Sequence, residues 1–242
     1  MKNHTPLNTL HTLACAALLA LPATTLRAQD TPDTASLAAT KAGRYYIVTR
    51  PDLRKCAAPL CGGVYVKAVN QALTLCADNR WQRECRVASL DTSAVGWSDA
   101  TAATFKKDFD AAQALARGTL RNDEVAGGRS PVLQLSEGWA GQAGSKPTGS
   151  FYAFKNSGIV CIAAPCPSVT QTRLNGGGSS NIAEVDLAAS GADKAAVEAG
   201  LQALNEGSLL AAGTHRAVTG PAGRDVGFVA SEFYLAVPAD KP

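Results

Sequence analysis

The chain has 242 residues, 23 Lys+Arg against 20 Asp+Glu, 46% hydrophobic residues and only three histidines. That composition is globular and excludes a wholly disordered chain, and no run of like charge is long enough to make a nucleic-acid-binding arm. The length fits one large domain or two small ones.

Met1 to about Ala28 reads as a secretory signal peptide. Lys2 supplies the positive end, and Leu13 to Leu21 is apolar apart from the small Cys15. A membrane span needs about 20 apolar residues, so this stretch is too short to stay as an anchor. Leu26-Arg27-Ala28 offers a cut before Gln29. Cleavage there removes Lys2 and Arg27 and leaves 21 basic against 20 acidic residues, a balance unsuited to binding a phosphate backbone. It also leaves one histidine, His215, and six cysteines. Export with an even cysteine count implies disulfides, in a periplasmic or extracellular setting.

Residues 29–43 read as a leader. Tyr45–Thr49 and Val64–Asn70 alternate like half-buried strands, and Val87–Asp91 reads as a third. A helix is expected over about Asp99–Ala116, with Phe105, Phe109, Ala112 and Ala116 on its core face and Gly118 as its stop. Strands follow near Leu120 and over Val132–Trp139, and residues 140–149 read as a linker. The second half runs in the same order. Phe151–Phe154 matches Tyr45–Val48, Cys161 and Cys166 match Cys56 and Cys61, Asn175 matches Asn70, and Ile182–Asp186 matches Val87–Asp91. A second helix is expected over about Ala192–Asn205, with Val197, Leu201 and Leu204 as its stripe, Ser190 and Asp193 as a weak capping box and Gly207 as its stop. Strands near Leu209 and over Gly227–Val237 close it, and 239–242 is a tail.

The expected fold is therefore α+β: two tandem pseudo-repeats, 44–139 and 150–238, each a small antiparallel sheet with one amphipathic helix, stapled by short-range disulfides. One continuous sheet through both copies is the alternative. The repeat also sets the cysteine pairing. The second copy has only Cys161 and Cys166, so they pair; by equivalence Cys56 pairs with Cys61, leaving Cys76 with Cys85 in an insertion found only in the first copy.

Catalytic hardware is sparse. A single histidine without a G-x-S-x-G motif gives no nucleophile–base pair, and His215 reads as a surface residue near a turn. Asp91 and Asp186, and Glu137 and Glu232, occur as matched carboxylates, which shared fold explains before catalysis does. C-x4-C spacing suits a disulfide better than zinc. The expectation is a non-enzymatic protein with no cofactor and no metal.

What only one copy carries is the better place to look for function. Asn79, Arg80, Trp81 and Arg83 lie between Cys76 and Cys85. Trp and Arg are common interface anchors, and Trp stacks on sugars and holds cations. Trp81 either folds back over the sheet to plug a gap or is displayed to a partner, an envelope or secreted protein or a glycan. The alternative function is a secreted protease inhibitor. It would present Arg54, Lys55, Pro59 and Leu60 at the Cys56–Cys61 loop, or Ala164 and Pro165 at the Cys161–Cys166 loop.

Four stretches carry a family resemblance: Tyr45-Tyr46-Ile47-Val48, the Cys-x3-Leu-Cys-Gly-Gly turn at 56–63, Lys67-Ala68-Val69-Asn70, and the Gly-Ile-x-Cys-x3-Pro-Cys-Pro-Ser stretch at 158–168. The chain resembles an uncharacterised bacterial secreted domain family of unknown function. The resemblance implies a secreted or envelope-associated protein and supplies no activity and no catalytic residue.

Overall fold

The computed structural model describes residues 43–56, 60–126 and 128–240. The expected signal peptide, nearly all of the expected leader, Pro59 and the last two residues of the tail lie outside the described residues.

The described residues open with β1 (Arg44–Pro51), β2 (Val64–Ala68), β3 (Thr74–Leu75), β4 (Trp81–Gln82), β5 (Cys85–Val87) and β6 (Ser89–Asp91). Helix α1 (Asp99–Asp110) and the long hairpin β7 (Ala114–Val125) and β8 (Gly128–Gly141) follow. Then come β9 (Ser150–Asn156), β10 (Val169–Arg173), β11 (Ser179–Ile182), β12 (Glu184–Asp186), helix α2 (Lys194–Glu206), and the hairpin β13 (Leu209–Gly220) and β14 (Gly223–Ala236). Twelve strands form one sheet in the order β11-β10-β9-β13-β14-β8-β7-β1-β2-β5, with β6 and β12 added in parallel beside β8 and β14; β3 and β4 form a separate small hairpin.

This overturns the expected pair of α+β units. The protein is mostly β, and the sheet does not stop at the midpoint. Strands β8 and β14 pair directly, Tyr234 with Gly141 and Ala236 with Trp139, so the stretch expected to start a linker is inside a ladder. The first helix also ends earlier than its apolar spacing suggests. Ala114, Leu115 and Ala116 are all fully buried in β7, because the sheet there is covered on both faces. A strand buried on both faces does not alternate, and its alanines fall on helical spacing by composition alone. Gly118 is no helix stop. It sits at a bulge in β7, where a Cβ would lie 2.0 Å from the carbonyl oxygen of Gln134. The expected strand Val87–Asp91 is broken at Ala88 into β5 and β6.

The helices are capped locally. Ser98 accepts from the Thr101 amide at 3.3 Å to open α1. Asp193, not a Ser190–Asp193 box, opens α2 by accepting from Ala196 at 2.8 Å, and Gly207 closes it at φ 74°. Gly200 and Ala203 are its buried residues, while Leu201 is exposed. Val197 and Leu204 of the expected stripe do pack against the core, while small Gly200 and Ala203 let the helix lie close to Leu187 and Phe233 and take the place expected for Leu201.

Side-chain alternation divides the interior. Tyr46 and Val48 of β1 join a core under α1 that includes Phe105, Phe109, Leu133 and Leu135. Leu209, Ala211 and Phe233 join the matching core under α2 with Phe154 and Phe228. The intervening residues point the other way. Ile47, Leu115, Trp139, Phe151, Leu210 and Tyr234, one from each of six strands, form a third core on the opposite face. The six strands curl around it until β1 and β9 approach, and two asparagine side chains close the gap. Asn70 Nδ2 donates to Phe151 O at 2.7 Å and Asn175 Nδ2 donates to Tyr45 O at 2.7 Å.

The last of the described residues is docked as well. Asp240 accepts from the Ser98 amide and from Thr101 Oγ1 at the start of α1. All three expected disulfides are formed: Cys56–Cys61, Cys76–Cys85 and Cys161–Cys166, with Cα–Cα separations of 5.3, 5.3 and 5.7 Å. Three such bridges belong to a chain that matures in an oxidising compartment. Among the described residues no helix is long and apolar enough to cross a membrane.

Candidate binding surface

The hairpin of β3 and β4 is a rigid display. Its base is held by buried residues: Thr74 and Cys76 on one side, Cys85 on the other. Thr74 Oγ1 accepts from the Ala68 amide at 2.9 Å, which ties the hairpin to β2. Cys76 donates to Arg80 O and Asn79 to Cys76 O, both at 2.9 Å, and Asn79 takes the left-handed conformation that this turn requires at φ 63°. Asp78 accepts from the Arg80 amide at 3.1 Å.

The tip faces solvent. Trp81 is 54% exposed, so it is displayed rather than folded back into a gap. The Arg44 guanidinium lies 5.7 Å from its ring centroid, within cation–π range. Arg80 and Arg83 flank it in sequence and are exposed; Arg80 has Asp78 at 4.0 Å, and Arg83 has no ion pair among the described residues. Leu73, half-exposed just before β3, extends the apolar part. An indole plane with three guanidinium groups on the same hairpin and adjoining strand can stack on a sugar or apolar ring and attract an anionic group.

The two disulfide loops weighed as inhibitory differ sharply. In the first, Arg54 does not project freely. Its guanidinium forks onto Asp52, with Nε–Oδ1 at 2.9 Å and Nη2–Oδ2 at 2.8 Å, and Arg86 Nε donates to Asp52 Oδ2 at 3.0 Å. The Arg54 hydrogen bonds hold the Asp52 carboxyl well below the usual carboxylate range, against the opposing effect of burial, with Arg86 adding to the depression. Lys55 and Leu60 are exposed. In the second loop Val160 is 93% exposed and Ile162 fully so. Its base is braced by Ser157 N donating to Ser168 O at 2.8 Å and Ala222 N donating to Ala164 O at 2.9 Å, and the Ala164–Pro165 bond is cis. The Val160–Cys166 stretch is legible in the sequence as this loop, and within it Val160 and Ile162 are the large apolar side chains most exposed to solvent.

The remaining chemistry-bearing residues have structural partners. His215 lies within β13, not near a turn. Its Nε2 is 2.8 Å from Gln171 Oε1, its ring meets Tyr152 and Phe228 edge-on, and burial pushes its pKa down. Asp91 pairs with Arg121 at 2.8 Å and Glu137 with Arg117 at 2.6 Å. Asp186 accepts from Ala189 N at 3.1 Å, and Glu232 is buried and bound by backbone amides. No group of three or more His, Cys, Asp or Glu able to hold a metal occurs among the described residues.

A family model described as a domain of unknown function (DUF6748) matches residues 45–240. No curated protein and no solved structure matches the chain.

Proposed function

Because the chain belongs to this family of unknown function along nearly its whole described length, we propose from its own geometry that it is a non-enzymatic exported binding module that meets its partner through the Trp81 hairpin. One observation carries the reading: a disulfide-closed, core-anchored hairpin displays a half-exposed Trp81 beside Arg44. Exposed large aromatics that a fold holds rigid lose little entropy on binding, and Trp and Arg dominate measured interface energetics. The partner is an envelope or secreted bacterial protein, or a glycan, that offers an apolar ring face next to an acidic group. A secretory signal at 1–28 belongs to the same proposal, as does an internal duplication of sequence whose matched strands β1 and β9 lie on opposite sides of the central β8–β14 pair.

The test is a glycan array together with a panel of purified envelope proteins, probed with the wild type and with Trp81→Ala. Binding that is lost with Trp81→Ala while the melting temperature holds supports the proposal. Binding that the variant retains counts against it.

A second reading has its own observation. The Cys161–Cys166 loop exposes Val160 and Ile162 almost completely on a braced backbone, as an inhibitor of an elastase-like or subtilisin-like protease would. Titration against trypsin, elastase and subtilisin separates the two: the absence of inhibition at micromolar protein removes this reading for those enzymes.

A further inference from the structure

A cleft of about 600 Å³ lies between β1, the residues that follow α1 and the segment between β8 and β9, and no residue of the Trp81 hairpin lines it. Its volume falls in the range of small-molecule sites, about 300–1,000 Å³. The floor is apolar, with Ile47 and Phe151 both nearly buried. The rim carries two exposed lysines, Lys67 and Lys146, and neither has an ion-pair partner among the described residues. No Asp or Glu is among the residues that line the cleft.

Both walls are held in place. The segment after β8 wraps a buried carboxylate: Glu232 accepts from the amides of Gln142, Ala143 and Ser145 at 3.0, 2.8 and 3.0 Å. Thr148 N donates to Ser231 Oγ at 2.9 Å. Lys146 and Pro147 are thus presented between two fixed points. On the opposite wall Ala112 adopts a left-handed conformation at φ 61°, which costs an alanine about 1–2 kcal/mol. Backbone strain of this kind persists where the surroundings over-determine it, and it clusters at ligand sites. A pre-formed cleft with an apolar floor and an uncompensated positive rim selects for charge and for shape together.

We propose that this cleft binds a small organic carboxylate with an apolar body, its charge met by Lys67 and Lys146 and its body lying on Ile47 and Phe151. Neutral and cationic compounds of the same shape lack the ionic contact and bind weakly.

Isothermal titration of the oxidised protein with octanoate, phenylacetate and indole-3-acetate tests this, with octanol and octylamine as uncharged and cationic controls. The expected result is saturable binding of at least one of the three acids that weakens with salt. The Lys67→Gln/Lys146→Gln double variant should weaken it about tenfold or more, and Trp81→Ala should leave it unchanged. Amide shifts in nuclear magnetic resonance should map to Ile47, Gln113 and Lys146. Both lysines are exposed, so an unaltered melting temperature confirms that the double variant is folded; should it be altered, the control ligands and the shift map still decide. Absence of saturable binding by all three acids, equal binding of octylamine, or shifts confined to other surfaces overturns the proposal.

Discussion

Asn70 and Asn175 hold the sheet closed by reciprocal clasps. Asn70 donates to Phe151 O and Leu174 O and accepts from Phe151 N; Asn175 donates to Tyr45 O and Val69 O and accepts from Tyr45 N, all at 2.7–3.0 Å. Each asparagine follows the second strand of its own half and grips the first strand of the other. Both sit in the left-handed region, at φ 60° and 55°, which asparagine tolerates better than other residues with a Cβ.

Removing either clasp leaves main-chain groups of the opposite half without partners. Asn70→Ala or Asn175→Ala should each cost about 2–4 kcal/mol, combining lost hydrogen bonds with unsatisfied amides. Asn70→Gly keeps the backbone conformation but removes the clasp, so it should recover only part of that loss. Urea denaturation of the four proteins, wild type included, checks the ranking. A glycine variant as stable as wild type would mean that the conformation matters and the clasp does not.

Glu232 is a buried carboxylate committed to amide donors. In Glu232→Gln a side-chain NH₂ replaces one acceptor oxygen and meets N–H groups head-on, which should cost about 2–3 kcal/mol. Hydrogen exchange should show the amides of Gln142, Ala143 and Ser145 losing protection first, and the Lys146 wall of the cleft loosening with them.

Ala112→Gly should go the other way. Glycine adopts φ 61° without a Cβ clash, and the gain should exceed its larger unfolded-state entropy. A stabilisation of about 0.5–1 kcal/mol is expected, read as a rise in the denaturation midpoint with an unchanged slope.

The Asp52 pair predicts acid sensitivity. Asp52 is nearly inaccessible and its folded pKa is depressed, first by Arg54 and also by Arg86. Its contribution is complete above the unfolded value near 3.8 and disappears as pH falls below it toward the folded value. The stability difference between wild type and Asp52→Asn should therefore be constant from pH 7 to about pH 5 and narrow steadily in stronger acid. A difference that grows in acid contradicts the assignment.

Local features were legible in the sequence, and long-range closure was not. The β1 and β2 strands follow from alternation, the Phe105–Phe109 helix face from helical spacing, and all three cysteine pairs from the matched order of motifs in the two halves. The single sheet depends on a short β8–β14 ladder and on two asparagine side chains that reach across 81 to 130 residues of chain, and no local pattern encodes such contacts. Apolar spacing does not mark the end of α1, because Ala114–Ala116 is buried on both faces of the sheet. For the candidate site, the residues Asn79, Arg80, Trp81 and Arg83 could be named from composition. Whether Trp81 turned inward or outward depended on how Thr74 and the Cys76–Cys85 bridge anchor the hairpin. The lysine-rimmed cleft was invisible, because its walls are set by the distant Glu232 and Ser231.

The most direct test of the binding account is oxidative footprinting of the mature protein, alone and with isolated bacterial envelope. The account predicts that Trp81 and the flanking 79–83 segment become protected while Val160 and Ile162 stay reactive. Unchanged labelling of Trp81, with protection moving instead to the Cys161–Cys166 loop, would contradict it.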